Sequence, residues 1–170
     1  MKSGSFIAGA VVIVVSLAFL LIVPFVDTFK DNNQKVEGIR FISYDNGTVL
    51  DSETGLMWAA RDNGDAVAWK EAKEYCEDYN AGGYKDWRMP TVEELETLYD
   101  EDAPGYRPEC AVYDWKVYLT GQIHLSGAAA WASVDNDDEA ECFMFDYGSR
   151  SLMFKNVNFI MRAMPVRNAR

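Results

Sequence analysis

The sequence is poor in the residues that usually perform catalysis or bind transition metals. It contains one histidine, His124, and three cysteines, Cys76, Cys110 and Cys142, among 170 residues. No two cysteines form a Cys-x-x-Cys pair, and their spacing matches no zinc pattern. With so little imidazole and thiolate, the usual metal centres and nucleophilic active sites cannot be assembled. The sequence therefore favours a protein that is not an enzyme.

Positive charge is also scarce. The chain has 16 Lys and Arg residues against 27 Asp and Glu residues, which gives a formal net charge of −11. A surface this acidic repels phosphate backbones, so nucleic acid is not expected as a partner. Apolar residues make up 49% and aromatic residues 14% of the chain. That composition is sufficient for one domain with a hydrophobic core and excludes wholesale disorder.

Charge is missing altogether from residues 6–26. At about 1.5 Å per residue, a helix of this length matches a hydrocarbon core about 30 Å thick. A cleavable signal peptide is the alternative, but its apolar region is normally only about 7–15 residues long and ends in a small-x-small site. No such site follows this run. The sequence predicts a transmembrane anchor at residues 6–26, after a short tail at 1–5 and before a polar linker at 27–35.

The remaining residues, 36–170, form the predicted globular domain. Lys2 and the α-amino group precede the apolar run, whereas the charges that follow it are balanced. The positive-inside tendency then places the N-terminus in the cytoplasm and the domain outside it. We expect a single-pass protein of a bacterial membrane whose domain is periplasmic or on the cell surface.

Strand and turn signals open the domain. Residues 39–44 predict a strand, and Asp45-Asn46-Gly47 predicts a tight hairpin turn, because Asn-Gly tolerates the positive φ of a type I′ turn. Residues 48–50 return as a second strand, and residues 56–59 form a third. Further strands are predicted at 128–134, 142–147, 151–154 and 159–166. Residues 142–147 are apolar on both faces, which is typical of a strand in the middle of a sheet.

Two helices are predicted between these groups of strands. The first has Asp65 as its N-cap and apolar residues at helical spacing from Trp69 to Tyr79. The second begins at Thr91, where Thr91-Val92-Glu93-Glu94 has the form of a capping box. In that motif the Thr91 and Glu94 side chains each bond a backbone N–H of the other residue.

Six landmarks follow one another along the domain. They are residues 47–59 (GTVLDSETGLMWA), the helix around Trp69, residues 83–95 (GYKDWRMPTVEEL), residues 131–133 (WAS), residues 145–148 (FDYG) and residues 165–167 (PVR). In this order they resemble the Lcl C-terminal-like domain family, which is named for a bacterial collagen-like adhesin. The resemblance covers nearly all of residues 40–167.

The resemblance implies an α+β domain of C-type lectin-like fold, with short antiparallel strands and two helices. It also implies a surface or secreted binding role, because the adhesin that names the family binds host polysaccharide. Residues 88–91 (RMPT) with Glu94 are similar to the formylglycine-generating enzyme family as well. That chemistry needs two closely spaced cysteines near the C-terminus, and only Cys142 is nearby, so the activity is not implied.

Several landmark positions are interpreted as structural rather than ligand-binding. Trp87 is expected to fill the core, and Arg88 to bind a carboxylate or backbone carbonyls at the start of the second helix. The full set interpreted in this way is Trp58, Trp69, Asp86, Trp87, Arg88, Thr91, Glu94 and Trp131. Cys110 and Cys142 are candidates for a disulfide in an oxidising compartment, although three cysteines allow three pairings. Cys76 is interpreted as a buried thiol.

One acidic segment is the candidate ligand-binding site: Asp135, Asn136, Asp137, Asp138 and Glu139. Calcium prefers several oxygen ligands from one loop, so it is the candidate cofactor here. The glycine and distant glutamate of an EF-hand are missing, and a solvated hairpin tip is the favoured interpretation. No other metal or cofactor is predicted.

The sequence thus favours a membrane-anchored extracytoplasmic binding or adhesion module, with a glycan or a protein as its partner. The alternative is a structural or accessory subunit whose hydrophobic helix docks into a larger membrane or filament assembly.

Overall fold

The computed structural model describes residues 39–111 and 114–170. Two four-stranded sheets organise the domain. The first has the strand order β1–β2–β3–β8 and is antiparallel throughout. Its strands are β1 Phe41–Tyr44, β2 Thr48–Asp51, β3 Leu56–Ala59 and β8 Val166–Asn168. The predicted hairpin is present, but its turn is not the expected type I′ turn. Tyr44 pairs with Thr48 across a three-residue loop, in which Gly47 N–H donates to Tyr44 O and Gly47 has a φ of +80°.

The second sheet has the order β6–β5–β4–β7. Its strands are β4 Ala129–Asp135, β5 Glu139–Met144, β6 Ser149–Phe154 and β7 Met161–Arg162. The β4–β5 and β5–β6 pairs are antiparallel, whereas β7 runs parallel to β4. The doubly apolar strand is therefore central, as predicted, but its bounds differ from the predicted 142–147, because residues 145–147 belong to the turn that leads to β6. A single strand over residues 159–166 was a wrong expectation: β7 and β8 are separate and join different sheets.

Two α-helices pack on this framework, α1 Trp69–Asp78 and α2 Val92–Glu96, with a short 3-10 helix at Ala81–Gly83 between them. Asp65 does not cap α1; the N-cap is Ala68. The residues before Ala68 are held in an irregular, non-helical path, because Asn63 N–H donates to Ala163 O and Val67 N–H donates to Met161 O.

The central strands β4 and β5 of the second sheet are buried on both faces, and the alternation of their side chains produces two cores. Ala130, Ala132 and Phe143 point towards α2 and the first sheet, where they join the larger core. Ala129, Trp131 and Cys142 point to the other face and pack with Ala72 and Cys76 of α1, among others. The architecture is thus α+β, with two helices and mainly antiparallel sheets.

Among the described residues, no helix has the length and apolar character that crossing a membrane requires. The predicted anchor at residues 6–26 lies outside the described part of the chain.

Candidate functional site

A cleft of about 390 Å³ lies where the β5–β6 turn meets the segment at residues 114–118. Its lining combines aromatic rings with charged groups: Asp114, Trp115, Lys116, Tyr118, Asp146 and Tyr147. Tyr147 is 76% exposed, whereas Trp115 packs partly against the larger core. A large exposed ring beside half-buried ones is typical of a surface that receives a ligand.

Backbone hydrogen bonds fix the segment that carries Trp115 and Tyr118. Tyr118 N–H donates to Phe145 O at 2.9 Å, and Tyr106 and Val117 exchange two backbone bonds of 2.9 and 3.1 Å. Gly105 lets the chain pass directly under the Tyr118 ring: its φ is +60°, and a Cβ there would lie 2.7 Å from that ring. The position of Tyr118 therefore depends on glycine at residue 105.

The turn that carries Asp146 and Tyr147 is shaped by a second glycine. Gly148 has a φ of +63°, and its N–H donates to Met144 O at 2.8 Å. A Cβ at Gly148 would lie 2.5 Å from the Tyr99 ring. Both the left-handed backbone and the close ring exclude a larger residue, so the turn can present Asp146 and Tyr147 in this place only with glycine.

Asp146 is the electrostatically unusual group of the cleft. It is half-buried, and its Oδ1 is shielded from solvent without accepting a hydrogen bond from any described group. Burial raises the pKa of this carboxyl group, and nearby backbone N–H groups of Asp146 and Tyr147 offset only part of that rise. A perturbed carboxylate in an aromatic cleft is a physical indication of a binding site.

The acidic segment predicted from the sequence forms the β4–β5 hairpin tip, and Lys155 compensates part of its charge. Asn136 Oδ1 accepts from the N–H groups of Asp138 and Glu139 at 3.1 and 2.8 Å. The Lys155 ammonium lies 2.5 Å from Asp135 Oδ2 and donates to the carbonyl oxygens of Asn136 and Asp137. A lysine thus occupies the centre of the oxygen cluster where calcium was considered.

Metal ligands do not converge elsewhere in residues 39–111 and 114–170: no group of three or more His, Cys, Asp or Glu side chains there is arranged to hold an ion.

The residues interpreted as structural lie in packing and ion-pair positions. Thr91 and Glu94 form the capping box of α2. Arg88 donates to both carboxylate oxygens of Glu94, at 2.7 and 2.6 Å. Trp87 is 3% exposed and meets the Tyr79 ring edge-on, with the ring centroids 5.0 Å apart.

The other landmark residues are held in a similar way. Asp86 binds Arg167 of β8 at 2.7 Å. Trp58 and Trp131 are fully buried. Trp131 Nε1 donates to Val67 O, and Trp69 Nε1 donates to Ala132 O, both at 2.9 Å.

Cys76 and Cys142 are fully buried thiols, and burial raises the pKa of each to about 12. Cys110 is half-buried, and none of the three is bonded to another in this structure. The Cys110–Cys142 disulfide stays a prediction. His124 stacks on Tyr106 at 5.1 Å, and its Nε2 lies 2.7 Å from Glu109 Oε1.

Sequence reasoning missed two features. One is the aromatic cleft; only Phe145-Asp146-Tyr147-Gly148 was noted, as a landmark. The other is a buried polar network in which Ser126 Oγ lies within 3.0 Å of both Asp62 carboxylate oxygens and accepts from Arg162 Nε at 2.7 Å. The segments involved are remote in sequence, so no local pattern signals either arrangement.

Comparison with known proteins gives one positive result. The protein-family model described as the Lcl C-terminal domain matches residues 47–167. No curated protein matches the sequence. The matched range contains the whole cleft, both helices and most of the two sheets.

Proposed function

Since this chain belongs to the Lcl C-terminal domain family, we propose that it is a membrane-anchored, non-catalytic module that binds carbohydrate outside the cytoplasm. The observation that carries the proposal is the cleft, which places Trp115, Tyr118 and Tyr147 beside the half-buried carboxylate of Asp146. The proposal includes a C-type lectin-like fold, which is compatible with two small sheets and two helices.

The chemistry of the cleft suits a sugar. A pyranose ring presents apolar C–H faces, which pack against aromatic rings, and hydroxyl groups at its edge, which donate to carboxylates. Asp146 lines the cleft with a half-buried carboxylate that can accept such a hydroxyl. A ligand hydroxyl at this carboxylate would offset part of the cost of burying it.

The reactive side chains of the domain support a non-catalytic role. Cys76 and Cys142 are buried, and their raised pKa values leave no thiolate nucleophile at neutral pH. His124 is held between Tyr106 and Glu109 and does not line the cleft. The cleft is thus without a thiolate or imidazole from these residues, which supports the proposal that the domain binds its ligand without converting it.

Glycan binding is tested by calorimetric titration of the full-length chain in detergent with oligosaccharides of differing sugar type. We expect Tyr147→Ala and Trp115→Ala each to weaken binding about tenfold, since each removes one stacking ring. Phe159→Ala is the matched control, because Phe159 is 65% exposed but lies outside the cleft. An equal loss of affinity in all three variants would contradict specific binding in the cleft. Release of new reducing ends during incubation would contradict a non-catalytic role.

Membrane anchoring at residues 6–26 is tested by fractionation. The full-length chain should remain with membranes through high salt and alkaline carbonate, and a variant lacking residues 6–26 should not. Recovery of a soluble protein whose N-terminus begins after residue 26 would identify a signal peptide instead.

An exposed apolar surface favours the alternative role as an accessory subunit. Leu152 and Phe154, on the same face of the edge strand β6, are 55% and 60% exposed. Edge strands with exposed apolar side chains are sites at which other chains pair. Co-purification of a stoichiometric partner that is lost in Leu152→Glu, together with no glycan binding, would support this role over the first.

A further inference from the structure

We infer that the carbohydrate bound in the cleft carries a free ammonium group, so that the ligand class is amino sugars rather than neutral or sulfated glycans. This inference rests on the proposed function, and it names the substrate class of the same cleft.

The first observation is that Asp146 differs from the other shielded carboxylates of the domain. Asp51 binds Arg40 at 2.7 Å, Glu94 binds Arg88 at 2.6 Å, and Asp62 lies 3.8 Å from Arg162. Among the described residues, neither Asp146 nor its neighbour in the cleft, Asp114, forms an ion pair.

The second observation concerns the one basic side chain of the lining. The Lys116 ammonium lies 3.5 Å from Pro104 O, and no described carboxylate lies within ion-pair distance of it. Lys116 therefore does not neutralise Asp146, and the negative charge of Asp146 is left for a ligand.

The third observation is the acidic rim. Asp100 N–H donates to Tyr118 O at 3.4 Å, which brings the run Asp100-Glu101-Asp102 beside the cleft. In the lining itself, Asp114 and Asp146 outnumber Lys116 two to one, and the whole chain has a net charge of −11. The local potential attracts cations and repels sulfate and phosphate groups.

The aromatic lining reinforces the same preference. A cation near the face of Trp or Tyr is attracted by the quadrupole of the ring. Trp115, Tyr118 and Tyr147 can therefore interact with the ammonium group as well as with the C–H face of the sugar. The combination of rings and an uncompensated carboxylate matches a sugar with an amine at its edge better than it matches either a neutral sugar or a simple cation.

The inference is tested with three ligands of equal length and linkage that differ at C2: β-1,4-linked oligomers of glucosamine, N-acetylglucosamine and glucose. Each is titrated into the full-length chain in detergent, at a pH below the pKa of the amine. We expect the glucosamine oligomer to bind about tenfold more tightly than the other two. The advantage should shrink as salt is raised, because part of it is electrostatic.

Asp146→Asn and Asp114→Asn should each weaken binding of the glucosamine oligomer by a larger factor than binding of the glucose oligomer, so that most of the preference for the amine is lost. Asp137→Asn is the control, since it removes the same charge from an exposed side chain outside the cleft. If Asp137→Asn lost the preference for the amine to the same extent, or if a linear polyamine bound as tightly as the glucosamine oligomer, net charge alone would explain the binding. The inference would then fail.

The failure of the inference is distinguishable from that of the proposed function. If the three oligomers bind with equal affinity and Tyr147→Ala weakens all of them, the cleft binds carbohydrate and the amino-sugar inference is wrong. If none of the three binds and other glycans also fail, carbohydrate binding itself is wrong.

Discussion

The ammonium nitrogen of Lys155 lies 2.5 Å from Oδ2 of Asp135, across the base of the β4–β5 hairpin. Two backbone carbonyls of the same hairpin tip, those of Asn136 and Asp137, also accept from this ammonium. Its position relative to the oxygen atoms is that of a bound cation. Lys155 therefore places a compensating positive charge at the base of a segment as acidic as Asp135 to Glu139.

Replacing Lys155 by methionine should convert this hairpin tip into a better calcium site. Loss of one positive charge a few ångströms from the carboxylates changes the electrostatic free energy of a bound cation by about 1–4 kcal/mol. We expect calorimetry to show weak or undetectable calcium binding to the native chain and at least about tenfold tighter binding to Lys155→Met.

Lys73→Met is the control for Lys155→Met. Lys73 lies over the Trp69 ring, at 5.8 Å from its centroid, but it pairs with Glu77 and not with the hairpin tip. Micromolar calcium binding by the native chain, abolished by Asp137→Asn with Asp138→Asn, would instead make the hairpin tip a calcium site.

Thr91→Ala should lower the free energy of unfolding by about 1 kcal/mol, because it removes the side chain that caps α2. The Thr91 hydroxyl accepts from Glu94 N–H at 3.2 Å. Thr54→Ala is a suitable control, since Thr54 accepts one backbone bond in an exposed turn. Denaturant unfolding measures the free energy of unfolding of both variants. An equal decrease in Thr91→Ala and Thr54→Ala would contradict a particular role for the α2 cap.

The Glu94 carboxylate should make part of the stability dependent on pH. Burial alone would raise its pKa, but hydrogen bonds from Arg88 and Thr91 outweigh burial and lower it below the ordinary value of 4.5. Its contribution is therefore complete above pH 4.5 and is lost as the pH falls through the lower value of the folded state. Melting temperature should fall less steeply in acid for Glu94→Gln than for the native chain; parallel curves would contradict this.

Asp62→Ala should destabilise the domain by about 3–5 kcal/mol, because it leaves the buried guanidinium of Arg162 without its carboxylate. Both side chains are almost fully buried. Adding Arg162→Met should recover part of the loss, since no charge then remains unpaired. Lys70→Ala is the comparison: its pair with Glu74 is exposed and 3.9 Å long, and it should cost less than about 1 kcal/mol.

Thiol titration should find one fast-reacting cysteine in the folded chain and three after denaturation. Cys110 is half-buried, whereas Cys76 and Cys142 are fully buried with raised pKa values, so only Cys110 is open to a thiolate-specific reagent. If Cys110 and Cys142 form a disulfide in the mature protein, no thiol should react in the folded chain and one after denaturation.

The features of the fold that could be predicted from the sequence are those that depend on local patterns of residues. The Asn46-Gly47 turn, the Thr91 capping box and the doubly apolar strand around Phe143 each depend on residues close together in the chain. The structure contains the hairpin, the capping box and the central strand, although the hairpin loop has three residues and the strand ends at Met144. The helix start at Asp65 was mispredicted because tertiary backbone bonds keep the following residues non-helical.

The cleft and the buried network could not be predicted in this way. Ser126 is 64 residues from Asp62 and 36 from Arg162. Residues 114–118 reach Asp146 only because the Tyr118–Phe145 backbone bond joins them. Composition identifies these residues as polar or aromatic, but tertiary structure alone decides that they meet.

Strand β8 has a consequence for the order in which the protein folds. Its partner in the first sheet is β3, and Arg167 of β8 reaches Met57 of β3 across 110 residues of sequence. β8 also exchanges two backbone bonds with Arg88 through Val166. Contacts so distant in sequence form slowly and only when both ends are present. The first sheet therefore stays open until residues 166–168 have been synthesised, and an exported chain would complete its fold only after those residues have crossed the membrane.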